Sequence, residues 1–151
     1  MAELDDGLRA FLGERRYAVL ATQDDGAIHL TPIWFLFEHD RFFFASSSRS
    51  RKVANVERVP SASVVVDRRD PGRERWVSAS GPVELMRGDE AQVVNARIRR
   101  RYLTRGALEG PIEADLAVSD DVTLRLTPAK WRSWGVDLGE SPGRSFLPVE
   151  P

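Results

Sequence analysis

Two apolar runs, 17–22 and 27–37, stand on either side of Asp24-Asp25-Gly26. An Asp-Gly pair tolerates the positive φ of a tight turn, so the runs are predicted to pair as an antiparallel hairpin. Glu38-His39-Asp40 is the next turn, and Arg41-Phe42-Phe43-Phe44-Ala45 is a third short strand. Within the second run Ile28, Leu30 and Pro32 share one face, while His29, Thr31 and Ile33 share the other. Pro32 cannot donate to a ladder, which places it at an edge, at a bulge or where the strand is interrupted. Strands that arrive in hairpin order argue against a doubly wound parallel sheet.

The remaining pattern extends this scheme. Leu4, Leu8, Phe11 and Leu12 fall on one face of an opening helix. Ser50–Arg58 reads as a helix with Val53 and Val56 inward and Pro60 after its end. Ser61–Asp67 is a β-branched strand, and 74–86 is one strand, or two broken around Gly81-Pro82. Gly88–Tyr102 is the longest helix, with Ala91, Val94 and Ile98 as its buried stripe. Leu108–Ala117 reads as a short helical or irregular segment, Val122–Thr127 as a closing strand, and 131–136 as its continuation past Pro128. The sum is about six strands with inserted helices: a mainly β, six-stranded antiparallel barrel. Residues 1–140 form one domain, and Pro and Gly density makes 141–151 an extended tail.

The strand ending at Ala45 runs into Ser46-Ser47-Ser48-Arg49-Ser50-Arg51-Lys52. Hydroxyls, fixed cations and the free N–H groups of a helix start meet there, and all three bind anions. The bland alternative is a solvated polar turn. Helix starts favour Asp and Glu, however, because the helix dipole repels cations there. Three cations in this place are therefore read as a phosphate seat. Lys52 is one of two lysines beside 20 arginines, a bias that a GC-rich genome explains.

Composition excludes several chemistries. The chain has no cysteine, so disulfides, thiolate zinc sites and a cysteine nucleophile are out. Two histidines without metal-ligand spacing argue against metal catalysis. Neither a P-loop nor a dinucleotide fingerprint is present. A net charge of −1 gives no general pull toward nucleic acid or membrane. No apolar run approaches the ~20 residues of a membrane span, and the acidic start lacks an apolar signal core. A cytoplasmic location is the expectation.

The stretch Ala18–Asp67 resembles the N-terminal half of the pyridoxamine 5′-phosphate oxidase-like split β-barrel flavin and deazaflavin proteins. It shares with them a strand, a DG hairpin, a His-x-Thr-Pro-x-Trp strand, a Ser-rich turn, a Lys-x-x-Asn helix, a proline and a further strand. Trp76–Met86 and Asp121–Trp134 resemble later strands of that family. The Thr-Pro-x-Trp strand is closer to the branch that uses coenzyme F420. The resemblance implies an FMN-binding-type split barrel and a homodimer with a cofactor groove between subunits. It implies an F420-dependent hydride-transferring oxidoreductase acting on a small organic substrate, with FMN as the alternative cofactor. A binder or carrier of flavin, F420 or haem without turnover is the alternative of another class. The full set of C-terminal Arg and His residues that bind pyridoxamine phosphate is missing.

Cofactor-binding residues follow from the same resemblance. His29, Thr31, Pro32, Ile33 and Trp34 would lie along the ring, and Ser46, Ser47, Arg49, Ser50, Arg51 and Lys52 at the phosphate, with Asn55 on the helical face of Lys52. His29 could equally be a half-exposed strand residue. Trp131 and Trp134 could close over the cofactor, sit at a dimer seam or pack in the core; Trp134 is counted with the site. Phe35 and Phe37 are read as core. Arg97, Arg99, Arg100, Arg101 and Arg105 form either a solvated helix face or a partner for the acidic tail of F420. No catalytic residue is assigned.

Overall fold

A computed structural model describes residues 4–111, 114, 120–139 and 143–146. The chain opens with α1 (Asp6–Gly13), capped by the Asp5 carboxylate, which accepts from Gly7 N. Strands β1 (Ala18–Asp24) and β2 (Ala27–Ile33) form the hairpin that the Asp-Gly turn predicts. Asp25 and Gly26 adopt φ of 48° and 84°, the left-handed region that the turn requires. β3 (Leu36–Glu38) and β4 (Arg41–Ser47) make a second hairpin. Then follow α2 (Arg51–Arg58), β5 (Ser61–Arg68), β6 (Arg75–Arg87), α3 (Gly88–Tyr102), α4 (Arg105–Leu108), β7 (Asp121–Leu126), β8 (Lys130–Trp134) and β9 (Gly143–Phe146).

Nine strands therefore replace the predicted six among the described residues. The run 27–37 is two strands, because the chain turns out of the ladder at Trp34-Phe35, just after Pro32. β8 pairs with β6 instead of prolonging β7. β9 falls inside the stretch read as a tail and pairs in parallel with β8. Most of the predicted segment Leu108–Ala117 lies outside the described residues. The mainly β class and its antiparallel pairing are as expected, apart from that one parallel pair.

The sheet order is β2-β1-β5-β6-β7-β4-β3. Pro32 thus sits on an edge strand, where a missing donor costs no ladder bond. β6 is one unbroken strand that serves two sheets. Its first half pairs with β5 up to Pro82, and its second half pairs with β7 from Val83 onward. At this crossing Gly81 is obligatory. A Cβ there would stand 2.1 Å from the Thr127 carbonyl oxygen and 2.9 Å from Ala129 N.

The core fills the space between the two sheets. Strand alternation sends Phe42 and Phe44 inward, stacked at 6.1 Å, and sends Phe43 outward to α3. Phe35 is fully buried, Phe37 packs against the core, and Trp131 packs against both Phe37 and Phe42. Leu8 and Leu12 of α1 and Val53 and Val56 of α2 close the ends. Each such side chain, fully buried, contributes about 1.5–3 kcal/mol. A second cluster joins Phe43 and Met86 to Ala91, Val94 and Ile98 of α3. The same α3 is tied to α1 by Arg101, which donates to the carbonyls of Leu12, Gly13 and Glu14.

Candidate functional site

The Ser-rich turn folds as a cap. Ser50 takes an extended φ/ψ and its hydroxyl accepts from Val53 N, so α2 starts at Arg51. Ser46, at the end of β4, lies hydroxyl to hydroxyl with Ser50 at 2.7 Å. No acidic residue occupies the first turn of α2. The three cations of the turn then part company. Arg51 donates to Asp24 Oδ2 at 2.7 Å, which draws it toward the β1–β2 hairpin and holds the Asp24 carboxyl below its usual range. Arg49 is exposed. Lys52 is half-buried, makes no ion pair among the described residues, and burial pushes its ammonium below the ordinary lysine range.

Ser46, Ser47, Ser50 and Lys52 line one side of a cavity of about 360 Å³. Trp34 and Ala45 line it too, as do Asn95, Arg99 and Asp121, with Asp121 of β7 paired beside Ser47. A second cavity of about 200 Å³ shares Trp34 and Ala45 and is otherwise lined by Tyr17, Pro32 and Ile33. The two adjoin, one end polar and cationic, the other apolar and aromatic. Trp34 is held flat by Tyr102, ring to ring at 5.2 Å and 3°. Tyr102 is fixed in turn, since its hydroxyl reaches the Arg16 carbonyl at 2.6 Å and accepts from Phe35 N at 3.3 Å. Burial pushes that phenol above its usual range.

Of the site residues read from sequence, the structure gathers Pro32, Ile33, Trp34, Ser46, Ser47, Ser50 and Lys52 around these two cavities. The others lie elsewhere. His29 and Thr31 bond each other at 2.9 Å on β2 and line neither cavity. Arg51 is committed to Asp24. Asn55 is 1% exposed and works structurally, donating to Thr22 Oγ1 at 3.0 Å and accepting from Arg58 at 2.8 Å. It points into the fold, toward Thr22 of β1. Trp134 lies opposite Trp76 on β6, away from both cavities.

The reading from sequence missed Asn95 and Asp121, and left Arg99 in a cluster read as a solvated helix face or a partner for an acidic cofactor tail. Asn95 donates to Asp121 Oδ1 at 2.8 Å and accepts from Thr123 Oγ1 at 2.6 Å. The available signal was Asn95 itself, a polar residue inside the apolar stripe of α3, with Arg99 one turn on. The arginine cluster is neither one face nor one function. Arg97 grips Glu38 through two bonds of 2.6 and 2.7 Å, Arg101 caps α1, Arg105 meets Glu109, Arg100 is exposed, and Arg99 alone lines the cavity.

A split antiparallel barrel with a Ser- and Lys-lined cavity at a strand-to-helix turn defines a class of cofactor-binding barrels. The family model described as pyridoxamine 5′-phosphate oxidase matches residues 4–135, and the chain belongs to that family. No curated protein matches the chain. Among solved structures, a conserved hypothetical protein of Mycobacterium tuberculosis is 24% identical, with TM-score 0.71 over 87% of this chain and 85% of that one. A protein titled F420 reductase is also 24% identical, with TM-score 0.66 over 84% and 97%. HutZ, titled a haem storage protein of Vibrio cholerae, is 20% identical, with TM-score 0.65 over 87% and 92%. At these identities the likeness shows the shared fold. No helix among the described residues is long and apolar enough to cross a membrane.

Proposed function

We propose that the chain is an oxidoreductase that uses coenzyme F420. The observation that carries this reading is the polar cavity. A lysine that is half-buried and has no ion-pair partner among the described residues, together with the capping Ser50 and its neighbour Ser46, faces a space that adjoins an aromatic shelf. That donor set fits a phosphate, because a desolvated ammonium gains its counter-charge when an anion arrives. Ser46, Ser50 and Lys52 would hold the phosphate, and Pro32, Ile33 and Trp34 would flank the ring. Bound deazaflavin supplies the hydride. The protein supplies position and dryness: Trp34 is already locked by Tyr102, so little ordering remains to be done on binding. The printed title of the F420 reductase neighbour supports the same branch.

The reading includes a homodimer. Ile28 and Leu30 are 73% and 62% exposed on the edge strand, Pro32 is exposed beside them, and Tyr17 is 63% exposed. A second copy would cover this apolar face and bring another chain to the shelf.

FMN and F420 titrated against tryptophan fluorescence test the cofactor, since Trp34 borders both cavities. Quenching with F420 is expected. Binding of FMN alone moves the assignment to a flavin oxidoreductase, and a haem Soret band with neither makes it a carrier. Sedimentation of Leu30→Lys against the parent chain tests the dimer, which the substitution should dissociate.

A further inference from the structure

The Ser-rich turn carries three cations, yet the cavity beside it receives one. Lys52 lines it, and Arg49 is exposed and does not. Arg51 stands between the lining residues Ser50 and Lys52 but reaches away, to Asp24. Arg99 and Asp121 line the cavity as an ion pair with each other. Lys52 is thus the cation of the lining that no carboxylate among the described residues answers. What withdraws Arg51 is built on β1 and not on the turn. The Asp24 side chain, 19% exposed at the end of β1, accepts from Arg51 Nη1 at 2.7 Å and from Arg58 Nη2 at 3.4 Å. Arg58 has a nearer acceptor in Asn55 Oδ1, at 2.8 Å. Arg51, 64% exposed along its side chain, has Asp24 as its side-chain partner and no second one among the described residues. Removing the Asp24 carboxylate therefore sets Arg51 loose and leaves Arg58 held.

We infer that Asp24 sets the charge of the anion the cavity accepts: by holding Arg51 on the β1–β2 hairpin it leaves a seat with one ammonium, matched to a singly charged phosphodiester over a doubly charged phosphomonoester. The inference rests on the cavity being the phosphate seat proposed above. A phosphomonoester carries about −1.5 to −2 at neutral pH, because its second proton leaves near about pH 6. A diester has no second proton to lose and carries one charge. The phosphate of F420 is a diester and that of FMN a monoester, so a seat with one cation discriminates between them at the phosphate end. A second negative charge left unanswered in a partly desolvated cavity is unfavourable. Arg51 is the group placed to answer it, since its guanidinium fork takes two phosphate oxygens at once and an ammonium does not. Asp24 is a positioning residue in this scheme: it touches Arg51 and not the ligand.

Dimethyl phosphate and methyl phosphate are the probes, titrated into the full chain by calorimetry at about pH 8, where the first carries one charge and the second two. The parent chain should bind dimethyl phosphate at least as tightly as methyl phosphate. Asp24→Asn should tighten methyl phosphate about fivefold, the scale of one partly exposed ion pair, and dimethyl phosphate by less than about twofold. Asp24→Ala, which leaves Arg51 no side-chain acceptor at that position, should do the same. The double variant Asp24→Asn/Arg51→Gln should lose the gain. Asp24→Asn/Arg51→Lys keeps the charge without the fork and should retain only part of it. The full gain in that lysine variant is the work of the field alone and overturns the inference. So does a gain that survives Arg51→Gln, a parent chain that prefers methyl phosphate, or one that binds neither probe. Binding of both probes that depends on Lys52 and ignores both Asp24 variants sinks this inference and leaves the phosphate seat standing. The expected response to Asp24, without any binding of FMN or F420, sinks the cofactor reading and leaves this one standing.

Discussion

Replacing Lys52 with methionine should weaken anion binding without weakening the fold. The ammonium is half-buried, burial lowers its pKa from 10.5, and no carboxylate among the described residues answers it. In the free protein it is therefore a cost, and an apolar side chain of similar length removes that cost. A hydrogen bond to a charged group contributes about 1.5–3 kcal/mol, so its loss should weaken inorganic phosphate roughly ten- to a hundredfold. The pH dependence carries a sign. A lysine whose folded pKa lies below its unfolded value binds fewer protons when folded, so stability rises with pH through that window. The parent chain should gain stability between the lowered pKa and 10.5, and Lys52→Met should lack that gain. Calorimetric titration with phosphate, and urea unfolding at neutral and alkaline pH, measure both effects. Unchanged phosphate affinity, or a loss of stability above about 1 kcal/mol, would refute the reasoning.

Other sites separate structure from binding. Gly81→Ala drives a methyl into the Thr127 carbonyl and should cost at least about 1–3 kcal/mol in urea unfolding. Asn55→Ala strips the buried Thr22 hydroxyl of its donor, costing about 1–3 kcal/mol while phosphate affinity holds. Asp24 titrates low because of Arg51; its contribution is present above 3.8 and should fade as pH drops through the folded pKa, a slope that Asp24→Asn abolishes in acid unfolding curves. Tyr102→Phe frees the Trp34 shelf from its backbone anchor, and should cost about 0.5–1.5 kcal/mol and shift tryptophan emission.

Local chemistry made much of this legible. The Asp-Gly turn, the helix after the Ser-rich turn and the stripe of α3 each depend on residues a few places apart; each is where sequence put it, with Ser50 capping the helix it was read to begin. Pro32 was legible as an edge, a bulge or an interruption because a proline's missing donor is a local fact; the pairing of β2 with β1 alone made it an edge. The rest depends on register. Nothing near Asn55 says that Thr22 waits below it, so a residue on a cationic helix start read as a ligand. Asp121 reaches Asn95 only because β7 pairs with β4 beneath α3, a contact across 26 residues. The arginines of α3 looked alike in sequence and were sorted by partners from β3, β7 and α1. The strand count failed for the same reason: whether β8 continues β7 or returns to β6 is decided by tertiary pairing.

The undivided β6 makes the two sheets one kinetic unit. Parting the sheets from each other at β5–β6 or β6–β7 must release hydrogen bonds from this one strand. Amides along 75–87 should therefore exchange with solvent only at the rate of whole-molecule unfolding, with no slower or faster half. A ligand seated near β4 would then retard exchange along the whole of β6, including the half that pairs with β5 and β8.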